Sequence, residues 1–495
     1  MPERADTALG LVARLVVLGL VAASASGCIH TLFVYTNTEE PHAPCPQDAS
    51  QAAANDAPAY AGKATFNVVP MRGKTKAKTH TLVILALSGG GSRAAYWSAK
   101  AMLRLQTVFH SDNPDDDLDI LGEVDAISSV SGGSLPAAYY AISTDATNQA
   151  EPSRSRHPWD DATVSRLMGR NYIVRWFGNW FWPANIAKFW FTGFNRTDIM
   201  AQTLAGNLYS ASLLDKDLTI GDLRPSRPYL ILNATNGTRG LFGDPFTFTN
   251  DNFISIRSHV DDYSLARAVM GTATFPAVFN YMTLRDYRDQ CRNAQTKPQK
   301  QYVHVFDGGN YDNLGLNSVI TVFNQLDYNQ TKYSNVVVIL VDAYTDHAGV
   351  AASRADPRAP SDYIVDRDVV ASTDALLQEN RTAILRAFTE DFKNRFGNER
   401  MQHALFYQLQ FSDVANAGPE HRQLSQQLNS IPTNFSINSA QRQSIDEAVQ
   451  LLLTPQNTCL LAIKSLLTAG RHALASAVCS YPPKQSGGEG SSMGT

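Results

Sequence analysis

The chain lacks most of what would mark it for nucleic acid or for a metal. Its 42 Lys and Arg are outnumbered by 46 Asp and Glu, and a formal net charge of −4 offers little to a phosphate backbone. There is no basic run with interleaved aromatics, which argues against nucleic-acid binding. Only five cysteines occur in 495 residues, and none of their spacings suits a zinc site. There is no internal repeat. Long apolar runs are scarce too, and the one near the start, LVVLGLVAASAS, is too short to span a bilayer comfortably.

That short run has its own meaning. Arg4 and Arg14 precede it and Ala25-Ser26-Gly27-Cys28 follows it, the charged, apolar, small-residue order of a secretory signal. Its end resembles a bacterial lipobox, with Ala25 where leucine is favoured and Cys28 as the lipidated residue. Residues 1–27 are therefore expected to be a lipoprotein signal peptide, and Cys28 a membrane anchor. Ile29, at the following position, is not the aspartate that would suggest inner-membrane retention, so the expected location is the outer-membrane or periplasmic side. Four cysteines then remain. In an exported protein they suggest two disulfides, with Cys459–Cys479 the more local pair and Cys45–Cys291 stapling the N-terminal arm to the body.

Residues 28–78 are rich in Ala, Pro, Thr, Asn and Gln without periodicity and read as a tether; residues 481–495 read as a disordered tail. Between them, 79–480, apolar strand-like runs alternate with helical ones. THTLVILALS, EVDAISSV, PYLILNAT, YVHVFDGG and NVVVILVDAY are short and nearly continuously apolar, as strands covered on both faces should be. The expected fold class is α/β: three layers, α/β/α, around a mostly parallel central sheet. Active sites in such sheets gather at the carboxyl ends of strands. An aromatic-rich insertion lies around 150–225; its segment Arg170 to Phe194 holds four of the six Trp. It reads either as a buried aromatic subcore or as an apolar lid or interfacial patch.

Three strand ends carry loops that could do chemistry. Ser129-Val130-Ser131-Gly132-Gly133 fits a nucleophile elbow, small–x–Ser–x–Gly, entered by a strand and left by a helix. Gly89-Gly90-Gly91-Ser92-Arg93 follows a strand and opens a helix, so its backbone amides can serve as an oxyanion hole. It matches neither the Walker pattern nor the dinucleotide fingerprint. Asp307-Gly308-Gly309 ends a third strand. None of these loops contains a histidine. His304 shares the strand of Asp307, but a separation of three turns the two side chains to opposite faces. The residues favour a two-member mechanism in which Ser131 attacks and Asp307 is the base, with Asp312 and Asp342 as alternative acids.

In this order the Gly-Gly-Gly-x-Arg loop, the serine elbow and Asp-Gly-Gly resemble the patatin-like phospholipases. ILNATNGTRG, SLARAVMGTATFPAVF and DNLG resemble that family too, over roughly Thr79 to Asp342, with a looser echo in IPTNFSI and the helix after it. The resemblance implies a Ser131–Asp307 dyad, an oxyanion hole at Gly89–Arg93, and acyl-ester hydrolysis of phospholipid or related lipid without metal or cofactor. Two positions depart from the family pattern: Ser129 replaces the first glycine of the elbow, and Ala94 the glycine after Arg93. The rival readings are a non-catalytic lipid-binding surface lipoprotein, or a transacylase or thioesterase with the same dyad.

Overall fold

Seven consecutive buried residues, TLVILAL, make β1 (Thr81–Leu87) the middle of the molecule. Its side chains alternate between two cores. Val83, Leu85 and Leu87 enter one; Leu82, Ile84 and Ala86 enter the other. A strand apolar on both faces needs a layer of helices on each, and that is the architecture of the computed structural model. It describes residues 34–42, 81–113, 116–145, 157–210, 217–238, 243–276, 278–290, 301–328, 333–345, 367–397 and 400–482.

Nine strands form the main sheet. After β1 come β2 (Ala126–Val130), β3 (Tyr229–Asn236), β4 (Asp244–Thr247), β5 (Met282–Arg285), β6 (Tyr302–Asp307), β7 (Asn335–Asp342), β8 (Ala404–Gln410) and β9 (Val478–Ser480). Their order across the sheet is β9-β8-β7-β1-β2-β3-β6-β5, with β4 also paired to β3. From β9 to β3 all neighbours are parallel; β4 and β6 run antiparallel to β3. The three-layer, mostly parallel sheet expected from the sequence is thus present. The five apolar runs singled out are β1, β2, β3, β6 and β7. The other four strands are short, or polar on alternate positions, and β4 (DPFT) contains a proline, so none of them stands out from its surroundings.

Helices α1 (Gly91–Phe109) and α2 (Ser134–Ile142) leave β1 and β2 and pack in the larger core. Below the sheet, α7 (Leu316–Tyr328) and α8 (Arg367–Arg395) enclose Val319, Phe323, Phe388 and Phe392. Between α2 and β3 lie α3 (Tyr172–Trp180), α4 (Pro183–Phe191) and α5 (Arg196–Leu208), and α6 (Leu265–Thr272) follows β4. Asn171 caps α3 by accepting from the Val174 amide at 3.0 Å, and Pro183 opens α4. These two helices carry the aromatic segment. Tyr172 and Trp176 are buried and Trp176 packs on Phe279, but Phe181, Trp182, Trp190 and Phe191 are all more than half exposed. The segment is part core, part patch.

The structure bears on two expectations at the ends of the chain. The expected tether, 28–78, is not free throughout. Residues 38–39 pair with 258–259, Asn37 donates to Ser258 Oγ and to the Arg285 carbonyl (both 2.9 Å), and Tyr287 donates to the Asn37 carbonyl at 2.7 Å. Main-chain and amide contacts hold this stretch, so no apolar pattern marks it. The Cys459–Cys479 disulfide is present and joins the start of α10 (Thr458–Ala469, after α9, Ser439–Leu452) to β9. Cys28, Cys45, Cys291, the signal segment and the tail beyond residue 482 lie outside the described residues.

At the carboxyl end of β7, Asp342 is fully buried and accepts the Arg381 guanidinium from α8, with Nε at 2.9 Å. Removing one partner of a buried pair strands the other charge. Arg381→Leu should therefore destabilise the fold by roughly 3–5 kcal/mol, read as a drop in the denaturant midpoint; an unchanged midpoint would refute it.

Candidate active site

The chain turns sharply where β2 ends. Val130 is extended at φ −132°, Ser131 is left-handed at φ 48°, and a single 3-10 turn over Ser131–Gly133 runs into α2. A non-glycine residue in that region is strained by about 1–3 kcal/mol and persists only where its surroundings enforce it. Gly132 is one reason the turn fits: a Cβ there would overlap the Gly91 carbonyl. The four serines of the elbow separate cleanly. Ser128 donates to the Gly315 carbonyl at 2.7 Å, Ser129 to the Ile231 carbonyl at 3.4 Å, and Ser134 to Ser129 Oγ at 3.2 Å. Only Ser131 points at a carboxylate, donating to Asp307 Oδ2 at 3.0 Å.

The sheet brings this pair together. Val130, just before the serine, sits opposite Asn233 of β3, and Asp307 sits opposite Ala234, the next residue of the same strand. Because β6 is antiparallel and pairs only with the last rungs of β3, its own end reaches the carboxyl end of β2. The Asp307 and Gly308 amides donate to the Thr274 and Thr272 carbonyls at the end of α6, at 3.3 and 3.1 Å. Burial pushes the Asp307 carboxyl up to about 6, against the Gly309 amide at 2.8 Å and the Ser131 hydroxyl, which both favour its charged form. His304 is elsewhere: its Nδ1 is 3.0 Å from Thr283 Oγ1 and its ring lies on Tyr281.

The glycine loop abuts the elbow. Gly90 and Gly91 have φ of 138° and 59°, a path that side chains rarely follow, and a Cβ on Gly91 would overlap the Asn434 carbonyl. Two amides of the loop are already engaged: Gly89 donates to the Asn313 carbonyl at 2.9 Å and Ser92 to the Asn434 carbonyl at 2.6 Å. Among the described residues, the amides of Gly90, Gly91 and Gly132 have no hydrogen-bond acceptor within the chain. Arg93 is buried, and its Nη1 is directed at the Ile431 carbonyl (2.6 Å) and Thr345 Oγ1 (3.3 Å), so its side chain braces the loop from beneath.

Comparison with known proteins bears on this arrangement. The sequence model of the patatin-like phospholipase family matches residues 85–320, a span that contains the loop, the elbow and Asp307. This stretch is a patatin-like phospholipase domain. No curated protein matches the chain. Among solved structures it is similar to human GIVD cytosolic phospholipase A2, at 10% identity and a TM-score of 0.37, with 78% of this chain and 62% of that one covered. The chain thus spans less than two thirds of that protein's length.

The two alternative acids have structural partners. Asp312 accepts from the amides of Leu314, Gly315 and Asn317, which makes it the cap of α7, and Asp342 holds Arg381. Three asparagines to which no role was assigned from sequence brace the site. Asn233 donates to Ser128 Oγ and to the Ser129 carbonyl, both at 2.9 Å, and so ties β3 to the elbow. The Asn313 side chain fills the space between Gly89 and Gly309. Asn434 supplies the carbonyl that receives Ser92. Each falls in a segment noted for family resemblance, but nothing in local sequence separates a bracing amide from a turn residue.

The raised carboxyl has a sign for stability. The folded state binds the Asp307 proton more tightly than the unfolded chain does, so the stability this gives is complete at low pH. It is lost as pH rises from the ordinary carboxylate range through about 6. At neutral pH the cost is on the order of 3 kcal/mol, because each tenfold change in proton affinity corresponds to about 1.4 kcal/mol. Asp307→Asn should therefore raise the melting temperature at pH 7 and flatten its decline between pH 4 and 7; a lower melting temperature throughout would contradict this.

Proposed function

We propose that this domain hydrolyses acyl esters of phospholipid or related lipid through a serine–aspartate dyad. The observation that carries the reading is the 3.0 Å hydrogen bond from Ser131 Oγ to Asp307 Oδ2, with no side chain between them. Asp307 accepts the hydroxyl proton as Ser131 Oγ attacks the ester carbonyl carbon, and the carbonyl oxygen becomes an oxyanion. The amides of Gly90, Gly91 and Gly132 are its donors, since those of Gly89 and Ser92 are engaged; one such donor contributes about 3 kcal/mol to the transition state. The C–O bond to the alcohol then breaks and Asp307 returns the proton to the leaving oxygen, leaving an acyl-Ser131 ester. Water, deprotonated by the same carboxylate, releases the fatty acid and restores the hydroxyl. A carboxyl pushed up to about 6 suits both halves of the cycle, because it is ionised at neutral pH yet holds a proton more readily than an exposed aspartate does.

Ser131→Ala and Asp307→Asn should each reduce ester hydrolysis by at least about a thousandfold, and a fluorophosphonate probe should label the wild-type chain but not Ser131→Ala. Labelling at Ser129 or Ser134 would move the nucleophile. Because the base must be ionised, kcat/KM should fall about tenfold per pH unit below about 6 and level off above it; an activity that keeps rising past pH 8 would point to another base.

The same reading includes an exported lipoprotein anchored through Cys28. The Cys459–Cys479 disulfide supports it, since such bonds persist in oxidising compartments. Cys28→Ser should move the protein from the membrane pellet to the soluble fraction after high-salt washing; retention in the pellet would remove the lipidation site.

A further inference from the structure

Of the ten large apolar side chains that are exposed among the described residues, seven lie between Val174 and Phe191, on α3, on α4 and in the two-residue link between them. Phe181 and Trp182 at the link are 70% and 66% exposed, and Trp190 and Phe191 on α4 are 54% and 53% exposed. This is a concentrated patch, since large apolar groups on a soluble surface are normally scattered singly. The helices beneath it are held firmly. Asn185 is buried and donates to the Asn179 carbonyl at 2.9 Å, Asn179 donates to Thr203 Oγ1 of α5 at 3.1 Å, and Trp180 packs on Phe189. The aromatic side chains outside this framework are presented, not merely left over.

Charge selects the occupant. From Arg170 to Arg196 the chain has four basic residues, Arg170, Arg175, Lys188 and Arg196, and no acidic one. Exposed Trp and Phe beside Lys and Arg suit the headgroup level of a bilayer, where aromatic rings lie at the acyl boundary and cations meet anionic phosphate. A second copy of this chain would bring the same positive charges against one another. Neither helix is long enough to cross a membrane: each has nine residues.

Position connects the patch to the reaction. The Phe435 carbonyl accepts from the Tyr172 and Ile173 amides at the start of α3, at 2.9 and 3.3 Å, while the neighbouring Asn434 carbonyl holds the Ser92 amide of the glycine loop. On the other side, Trp176 packs on Phe279 and Thr197 donates to the Asn280 carbonyl at 2.7 Å, just before β5. At the far end of β5, Arg285 binds Asn37. From Asn37 back to Cys28 is nine residues, a reach of at most about 30 Å, so an anchored Cys28 would hold this edge of the sheet close to the lipid.

We propose that the α3–α4 pair is a docking surface that seats the domain on an anionic lipid bilayer, with the aromatic residues at the acyl boundary and Arg175 and Lys188 at the phosphates. It deepens the function proposed above, since it names the physical form in which the substrate is met. The test uses the full chain with Cys28→Ser, so that no acyl anchor contributes, and Ser131→Ala, so that nothing is hydrolysed. Its binding to phosphatidylcholine vesicles, with and without phosphatidylglycerol, is measured by co-sedimentation. Trp182→Ala/Trp190→Ala should weaken binding to the phosphatidylglycerol vesicles about tenfold or more. Arg175→Gln/Lys188→Gln should weaken it several-fold on those vesicles and not on pure phosphatidylcholine, whereas Leu461→Ala, another exposed apolar residue, should change nothing. With Ser131 restored, the tryptophan pair should lower vesicle hydrolysis about tenfold relative to hydrolysis of a monomeric short-chain ester. If neither ester is cleaved while the binding differences stand, the function proposed above fails and the docking surface remains. Equal vesicle binding by the parent and the tryptophan pair would overturn the proposal, as would a dimer of the parent that the pair dissolves.

Discussion

One strand determines where Ser131 and Asp307 meet. The serine and the aspartate are 176 positions apart in sequence, yet the residues that deliver them pair with Asn233 and Ala234, adjacent rungs of β3. Ladder hydrogen bonds fix that spacing, and the side chains follow it. β3 is also tied sideways into the site, since Asn233 grips the backbone and a hydroxyl of the elbow it faces. The closeness of Ser131 and Asp307 is therefore a property of sheet register. A slip of one residue in either neighbour would turn its side chains to the opposite face.

Around this register, the close approaches are made by backbone. The glycine loop contacts the elbow with no side chain between, and two of its amides are engaged by the carbonyls of Asn313 and Asn434, from well downstream. Those contacts hold the loop without occupying Gly90 or Gly91. Arg93 does similar work from below, directing its donors to Ile431 and Thr345. The apolar layers on both faces of the sheet supply the rigidity, and they also supply the dry surroundings that raise the Asp307 carboxyl.

Much of this was legible in the sequence, and the remainder was hidden for definite reasons. β1 and β7 are continuous apolar runs, visible because both faces are covered. The order of the glycine loop, the elbow and Asp-Gly-Gly was visible because each needs small residues at fixed offsets. The pairing of residues 38–39 with 258–259 was invisible because it rests on main-chain bonds and scattered polar side chains. The reversed direction of β6 was equally hidden, as YVHVFD would read the same either way. The exposure of α3 and α4 could not be read from aromatic density, since Trp176 and Trp182 have the same composition around them and opposite surroundings.

The left-handed backbone at Ser131 has one more consequence. Glycine would adopt that conformation without strain, so the residue that carries a hydroxyl here is the less comfortable occupant. The turn by itself gives no reason for a side chain here; what the side chain adds is the hydrogen bond to Asp307, made from a backbone strained by about 1–3 kcal/mol.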